Sequence, residues 1–272
     1  MTGHRQLLIA PALLFTGLFF VLPLLLMVVI SFGSVDFVTY QTRPGWHPGN
    51  YLRALDPLYL RPILRSLAIS AATVAACLMV AFPVALTMSR QRGRRQRLLL
   101  AAIIVPLWSG YVIRTYAITA LIADHGPLAG LVGAEPAGLS LLYTPAAVVI
   151  GMIYAYLPLM VIPVFVALER IEKSQLLAAA DLGASPWSLL YRVELPLARP
   201  GIVAGCLLVG IPAVGEYVVP AVLGGGKTLM YGNIVADQFQ VTGNYPLGSA
   251  LALMMTGLVT LLLLVTRRWS AR

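Results

Sequence analysis

Six stretches of this chain, at roughly 7–32, 63–89, 98–123, 146–168, 200–222 and 247–266, are long and apolar enough to cross a bilayer. Hydrocarbon ~30 Å thick takes about 20 apolar residues in helical form. Within it every backbone N–H and C=O must be satisfied inside the segment, so runs of this length fold as helices. Composition enters as support: only 11% of the 272 residues are charged, against roughly 25% in soluble domains. A chain this poor in hydrated groups cannot cover a globular surface with them, which excludes a soluble enzyme of ordinary composition, a disulfide scaffold and a disordered tail. The expected fold is an all-α membrane protein of six transmembrane helices, forming a single transmembrane domain over 1–272. The first run is too long for the core of a secretory signal, and Ser31-Phe32-Gly33-Ser34 offers no convincing cleavage site, so it is expected to remain as a span.

The cations give the orientation, because lysine and arginine are retained on the cytoplasmic side. With both termini in the cytoplasm, that side holds Arg5, the cluster Arg90, Arg92, Arg94, Arg95 and Arg97, then Arg170, Lys173, Arg192 and Arg199, and finally Arg267, Arg268 and Arg272. Glu169, Glu172, Asp181 and Glu194 are the acids sharing it, so the whole net charge of +9 lies on one face. The arginine cluster therefore reads as a topology determinant, and no nucleic-acid partner is expected. Pro23, Pro83, Pro106, Pro158, Pro163 and Pro212 fall within the spans. Each would cost ~3 kcal/mol in a soluble helix interior, but membrane helices tolerate them as kinks.

No extramembrane segment exceeds about 35 residues, too little for a separate catalytic domain. Cys77 and Cys206 lie in apolar runs as small buried residues, and His4, His47 and His125 are scattered, so no metal site is expected. The segment Ala221-Val-Leu-Gly-Gly-Gly226-Lys227-Thr228 has the look of a phosphate-binding loop. Such a loop needs a preceding buried strand, whereas this one comes after a span, at its outer end. It reads as a glycine-rich turn.

The loop from Glu169 to Arg199 is the largest on the cytoplasmic side, and it is patterned. Ser174 is expected to cap a helix over about 175–182, ended by Gly183 in a left-handed conformation. Ser185, with Pro186 at the first helical position, then caps a second helix carrying Trp187, Leu189, Leu190 and Val193, which is expected to stop before Leu195-Pro196. A compact helix-turn-helix rich in alanine, leucine and tryptophan suits a protein groove; the alternative is a helix resting on lipid.

The string Ala178-Ala179-x-Asp181-Leu182-Gly183-Ala184-Ser185-Pro186-Trp187, followed by Val193-x-Leu195-Pro196 and Pro200-Gly201-Ile202, resembles the signature loop of permease subunits of binding-protein-dependent ATP-binding-cassette importers. Gly49-Asn50-Tyr51, Arg65-Ser66-Leu67, Pro106-Leu107-Trp108, Ile113-Arg114-Thr115-Tyr116, Tyr156-Leu157-Pro158, Gly215-Glu216-Tyr217 and Leu223-Gly224-Gly225-Gly226-Lys227 extend the likeness along the chain. They are similar to the first permease branch of spermidine/putrescine-type systems. One departure is Leu177, where the family usually has glutamate.

The resemblance implies a non-catalytic subunit of a bacterial inner-membrane importer, with no cofactor of its own. A second homologous permease would complete the solute path, and two ATPase subunits would bind ATP and Mg. A periplasmic solute-binding protein would deliver the solute. Ala178, Ala179, Asp181, Gly183, Trp187, Leu195 and Pro196 would form the ATPase-coupling loop. The implied substrate is a polyamine. An opine, phosphonate or amino-acid-like solute is the alternative within this class, and a self-contained secondary transporter is the rival from another, disfavoured because the chain has no two recognisable halves.

Arg114 and Glu216 are the clearest charges within spans, where a charge costs ~2.5–3.5 kcal/mol even on insertion scales and usually faces the interior or water. Each is the seventeenth residue of an expected span entered from the cytoplasm, which at ~1.5 Å per residue places both toward the outer side at similar depth. Two arrangements are open: an intramembrane ion pair, or side chains facing the path. Tyr217, beside Glu216, could add a cation–π contact for a cationic substrate, with Tyr111, Tyr116, Tyr154 and Tyr156 as further aromatic candidates.

Overall fold

The computed structural model describes residues 11–36, 39, 41–123, 126–127 and 141–270. Positions 7–10 of the expected first span, together with His4, Arg5, His125 and Arg272, lie outside them. The helices are α1 (Pro11–Ser31), α2 (Gly49–Ala54), α3 (Pro57–Arg90), α4 (Arg94–Trp108), α5 (Tyr111–Ile122), α6 (Pro145–Glu169), α7 (Lys173–Asp181), α8 (Pro186–Val214), α9 (Val218–Leu223), α10 (Tyr231–Gln240) and α11 (Tyr245–Ser270). Among the described residues, α1, α3, α6, α8 and α11 are five helices long and apolar enough to span a membrane; counting the bent pair α4–α5 as one makes six. An antiparallel ribbon, β1 (Ser34–Asp36) with β2 (Gln41–Arg43), adds a strand element to the expected all-helical fold. The chain divides into two compact units, Met1–Arg61 with Ile234–Leu261, and Pro62–Asn233 with Leu262–Arg272.

In the first unit the end of α1 is tied to α2 by polar contacts. Asn50 Nδ2 donates to the carbonyls of Ser31 (2.8 Å) and Gly33 (2.9 Å). The hydroxyls of Tyr51 and Ser31 meet at 2.7 Å, and Phe32 stacks on Trp46. The Gly49-Asn50-Tyr51 motif thus satisfies carbonyls that the end of a helix leaves open.

The second unit is built on α6, whose buried residues run from Ala147 to Leu168. Between helices in lipid there is little hydrophobic drive, so close backbone approach at small residues carries the packing. Helix α8 meets α6 in this way: a Cβ on Gly201 would lie 2.4 Å from Ala167 Cβ and 2.5 Å from the Pro163 carbonyl, and one on Gly205 would lie 2.6 Å from Met160 Sδ.

Three expectations are corrected here. The third span is not one helix: α4 tightens into a 3-10 turn over Val105–Trp108 and α5 leaves at 103°. Pro106 removes a helical donor, Ser109 and Gly110 take extended ψ angles of 143° and 140°, and Ser109 Oγ returns to the Pro106 carbonyl at 2.6 Å. The fifth span ends at Val214, and α9 begins again after Gly215-Glu216-Tyr217. Finally, the helix begun at Pro186 does not stop before Leu195-Pro196. It passes through a π turn over Leu190–Glu194, closed by Leu195 N–H to the Leu190 carbonyl, and runs on to Val214. The wider turn accommodates Pro196, which has no N–H to offer and whose ring would crowd a regular turn.

Candidate functional site

Helix α7 and the start of α8 form the patterned surface segment. The left-handed turn at Gly183 (φ +80°) is as expected, and it closes a complete Schellman motif: Gly183 N–H bonds the Ala180 carbonyl at 2.9 Å and Ala184 N–H the Ala179 carbonyl at 3.1 Å. Ser185 Oγ accepts from Ser188 N–H at 3.2 Å, the expected cap. Ser174 is not a cap. The helix starts at Lys173, one residue ahead of it, and the Ser174 hydroxyl donates to Glu172 instead. Ala178, Asp181, Gly183, Leu195 and Pro196 are exposed and Ala179 is half-buried. Leu182 and Trp187 are the most prominent apolar groups, 89% and 69% exposed, with Trp187 stacked on Tyr191. Leu177 is exposed on the same segment. Asp181 sits in the last turn of α7, where the helix dipole disfavours an anion. Helix capping therefore does not account for its place.

Glu216 occupies the break between α8 and α9. Its side chain folds back over the first turn of α9, so that one carboxylate oxygen accepts from the N–H groups of Tyr217 (2.9 Å), Val218 (2.8 Å) and Val219 (3.4 Å). The other oxygen accepts from the hydroxyls of Tyr111 and Tyr156. With five donors and 6% exposure, this is a carboxylate held at a helix N-terminus, where backbone donors and the dipole both favour negative charge.

Arg114 does not pair with Glu216. Its guanidinium lies over the Tyr111 ring, 5.7 Å from the centroid, and Nη1 reaches the Ala155 carbonyl at 3.4 Å. Its Nε is buried without a partner. The two charges are linked through one tyrosine, whose hydroxyl serves the acid and whose face serves the base. Arg114 and Glu216 do not sit on two straight spans, because α5 is turned away from α4 and α8 stops before Glu216. Tyr217 keeps an exposed ring.

The glycine-rich segment lies after α9, without the strand a phosphate loop requires, and turns through Gly225 (φ +53°) and Gly226 (φ +75°). A side chain at Gly225 would also strike Tyr143.

Comparison with known proteins places residues 7–272 under the family model described as the binding-protein-dependent transport system inner membrane component. The chain belongs to this family. The spermidine/putrescine transport system permease protein PotB of Haemophilus influenzae is 37% identical over 265 residues, covering 96% of this chain and 92% of that one. Its namesake in Escherichia coli K12 is 36% identical over 256 residues, 93% of each. In fold, the chain is similar to a subunit of a bacterial alginate ABC transporter crystallised with an alginate pentasaccharide-bound periplasmic protein, with a TM-score of 0.73, 14% identity and coverage of 98% and 95%.

In this permease the sequence reading missed the scaffold behind the Glu216 break. Asn233 Nδ2 donates to the Tyr217 carbonyl at 2.8 Å while its Oδ1 accepts from Met230 N–H, so Asn233 fastens the start of α10 to the break. Ser66 Oγ accepts from Tyr231 N–H at 2.7 Å, and Gly232 lies against the backbone of Gly215 and Glu216. The signal available was Ser66 itself, a buried polar residue in the quoted Arg65-Ser66-Leu67 motif. Asn233 carried no local signature. In the sequence Tyr111 and Tyr156 register as aromatics only, not as donors.

Proposed function

We propose that this chain is the transmembrane permease subunit of an ATP-driven importer that takes up a small polyamine such as spermidine or putrescine, through a path completed by a second, homologous permease. The family and the 37% identity to a spermidine/putrescine permease support the class. The observation that carries the coupling role is the exposed α7–Gly183–α8 segment, whose second helix is continuous into a span. Ala178, Ala179 and Gly183 let a partner surface approach closely, Trp187 and Leu182 give it apolar contact, and Asp181 offers a carboxylate. Leu195 and Pro196 begin the regular helix above the π turn. The exposed Leu177 exchanges a polar docking contact for an apolar one.

In this reading the chain performs no chemistry and binds no cofactor. ATP and Mg are held by two partner ATPase subunits on the side of both termini and α7, and a periplasmic receptor delivers solute to the opposite side. Residues 1–272 act as one transmembrane domain in a bacterial inner membrane. Hydrolysis moves solute only if the two states of the ATPases make different contacts with α7 and α8.

A second reading concerns the solute. Glu216 is saturated by five donors, whereas Arg114 holds one long hydrogen bond and a buried free N–H. That imbalance favours a solute bearing an acidic group, such as an opine, phosphonate or amino-acid derivative. Reconstituting the complete complex with its receptor and measuring ATP hydrolysis against a solute panel separates the readings. Stimulation by spermidine or putrescine alone supports the polyamine, and stimulation by acidic solutes alone supports the second reading. Stimulation by neither, with no ATPase subunit retained, refutes the importer.

A further inference from the structure

Arg90 and Glu194 are a charged pair that the transport reading leaves unexplained. Arg90 is the last residue of α3, and Glu194 closes the π turn of α8. Arg90 Nη2 donates to both carboxylate oxygens, at 2.9 and 3.1 Å. The two side chains differ in exposure, 5% for Glu194 and 59% for Arg90. A carboxylate so buried is tolerated only when a cation answers it.

The π turn explains how it came to face inward. One extra residue in a turn rotates the remainder of the helix by ~100° about its axis, so Trp187 and Tyr191 point outward while Glu194 turns toward α3. Beside the pair lies a cleft of about 300 Å³ lined by Arg90, Gln96, Glu169, Lys173, Leu176 and Glu194. Two of these, Lys173 and Leu176, belong to α7. Lys173 and Leu176 of α7 thus border an open cleft opposite the end of α3, so the close packing that transmits a push does not join the two elements there. A rigid connection is needed elsewhere, and the doubly hydrogen-bonded pair at the foot of α8 supplies one.

We propose that Arg90 and Glu194 form a latch that fixes the foot of α8 to the end of α3, so that force applied at α7 and Trp187 moves both spans together instead of bending α8 at its π turn. This rests on the reading that an ATPase docks on α7 and α8. Both are positioning residues, and neither belongs to the signature positions of the coupling loop.

The test uses the complete complex in vesicles, with spermidine and, separately, a phosphonate and an opine as solutes. It compares the wild type with Glu194→Gln, Glu194→Arg and the exchange Arg90→Glu/Glu194→Arg. The ATPase subunit retained on purification reports assembly, and ATP hydrolysed per solute taken up reports coupling. Glu194→Gln keeps the shape and an acceptor for Arg90 but loses the charge. It is expected to retain the ATPase and raise the ratio about threefold or more, the scale of cutting one link in a coupling network. The exchange is expected to return the ratio to within about twofold of the wild type, since the pair is restored in reverse. A wild-type ratio in Glu194→Gln overturns the latch, as does an exchange variant no better coupled than Glu194→Arg. A loss of ATPase subunit in every variant, with an unchanged ratio in what remains, also overturns it by making the pair merely structural. Wild-type vesicles that take up none of the solutes refute the importer reading, and the latch with it.

Discussion

Replacing Gly183 by valine tests whether the α7–α8 segment works through its backbone geometry. Gly183 holds φ at +80°, and a Cβ there would meet nothing within 4 Å, so the entire penalty is conformational. A left-handed residue costs an ordinary side chain roughly 1–2 kcal/mol, and a β-branched one lies at the upper end. At 1.4 kcal/mol per factor of ten, about 2 kcal/mol lowers the population of the native turn some thirtyfold relative to competing turns. Alanine is expected to fall between, and asparagine, which tolerates the left-handed region, to stay near the wild type. The apolar body is remote from this turn, so the melting temperature in detergent is expected to hold while the ATPase subunit is lost and solute uptake falls in the order Gly, Asn, Ala, Val. Uptake and ATPase retention by Gly183→Val equal to the wild type refute the reasoning. So does Gly183→Asn as damaging as valine, because the fault would then lie in a blocked docking surface and not in φ.

Glu216→Ala strands the N–H groups of Tyr217, Val218 and Val219 and the hydroxyls of Tyr111 and Tyr156. At about 1–3 kcal/mol for each buried group left unpaired, thermal unfolding in detergent is expected to show a large loss of stability. Exchanging the charges, Arg114→Glu with Glu216→Arg, is expected to restore neither stability nor uptake, because Arg114 and Glu216 are joined through Tyr111 and not to each other; partial rescue in the same assays contradicts this. Gly201→Val drives side-chain atoms into Ala167 and Pro163 and is expected to abolish recovery of folded protein, with Gly201→Ala intermediate, as size-exclusion profiles of detergent extracts would report.

The spans were legible because lipid leaves a chain few options: α6 begins and ends one residue from the boundaries expected from hydropathy, and α3 ends one residue past its expected end although it starts six residues earlier. The cap at Ser185 and the turn at Gly183 were legible for a similar reason, since each residue type answers one local backbone demand. Proline was not readable in the same way. Pro158 and Pro163 leave α6 unbroken inside a packed helix, whereas Pro106, backed by Ser109 and Gly110, turns the chain by 103°. The outcome is decided by whether neighbours or a nearby glycine take up the freed groups, which is a property of three-dimensional packing. The π turn that carries Pro196 through α8 is equally invisible, because Leu190–Glu194 carries no residue pattern that separates a π turn from a regular one, and the Glu194–Arg90 contact joins positions 104 residues apart. Charge alone left Glu216 open between a pair with Arg114 and a place facing the path. The structure instead matches it with a helix N-terminus and two phenols, which the breaks at Gly110 and Gly215 bring within reach.

Helix α8 joins the two regions that the sequence marked separately. Its 29 residues extend ~43 Å at 1.5 Å per residue, with the exposed Trp187 at one end and the Gly215-Glu216 break at the other. A tilt of ~10° about its foot would displace the far end by ~7 Å on that length, so a small rearrangement at α7 is sufficient to be felt at Glu216. The hydrogen bonds there determine the response. Glu216 binds the end of α8 to α9, to Tyr111 at the start of α5 and to Tyr156 in α6, and separating any of these would expose a buried carboxylate or a buried donor. The cluster therefore moves as a unit. Arg114 is tied to the same cluster, with its guanidinium over the Tyr111 ring and its Nη1 on the Ala155 carbonyl at 3.4 Å. Glu216 fixes the geometry of the break, and Arg114 is joined to it through the ring of Tyr111.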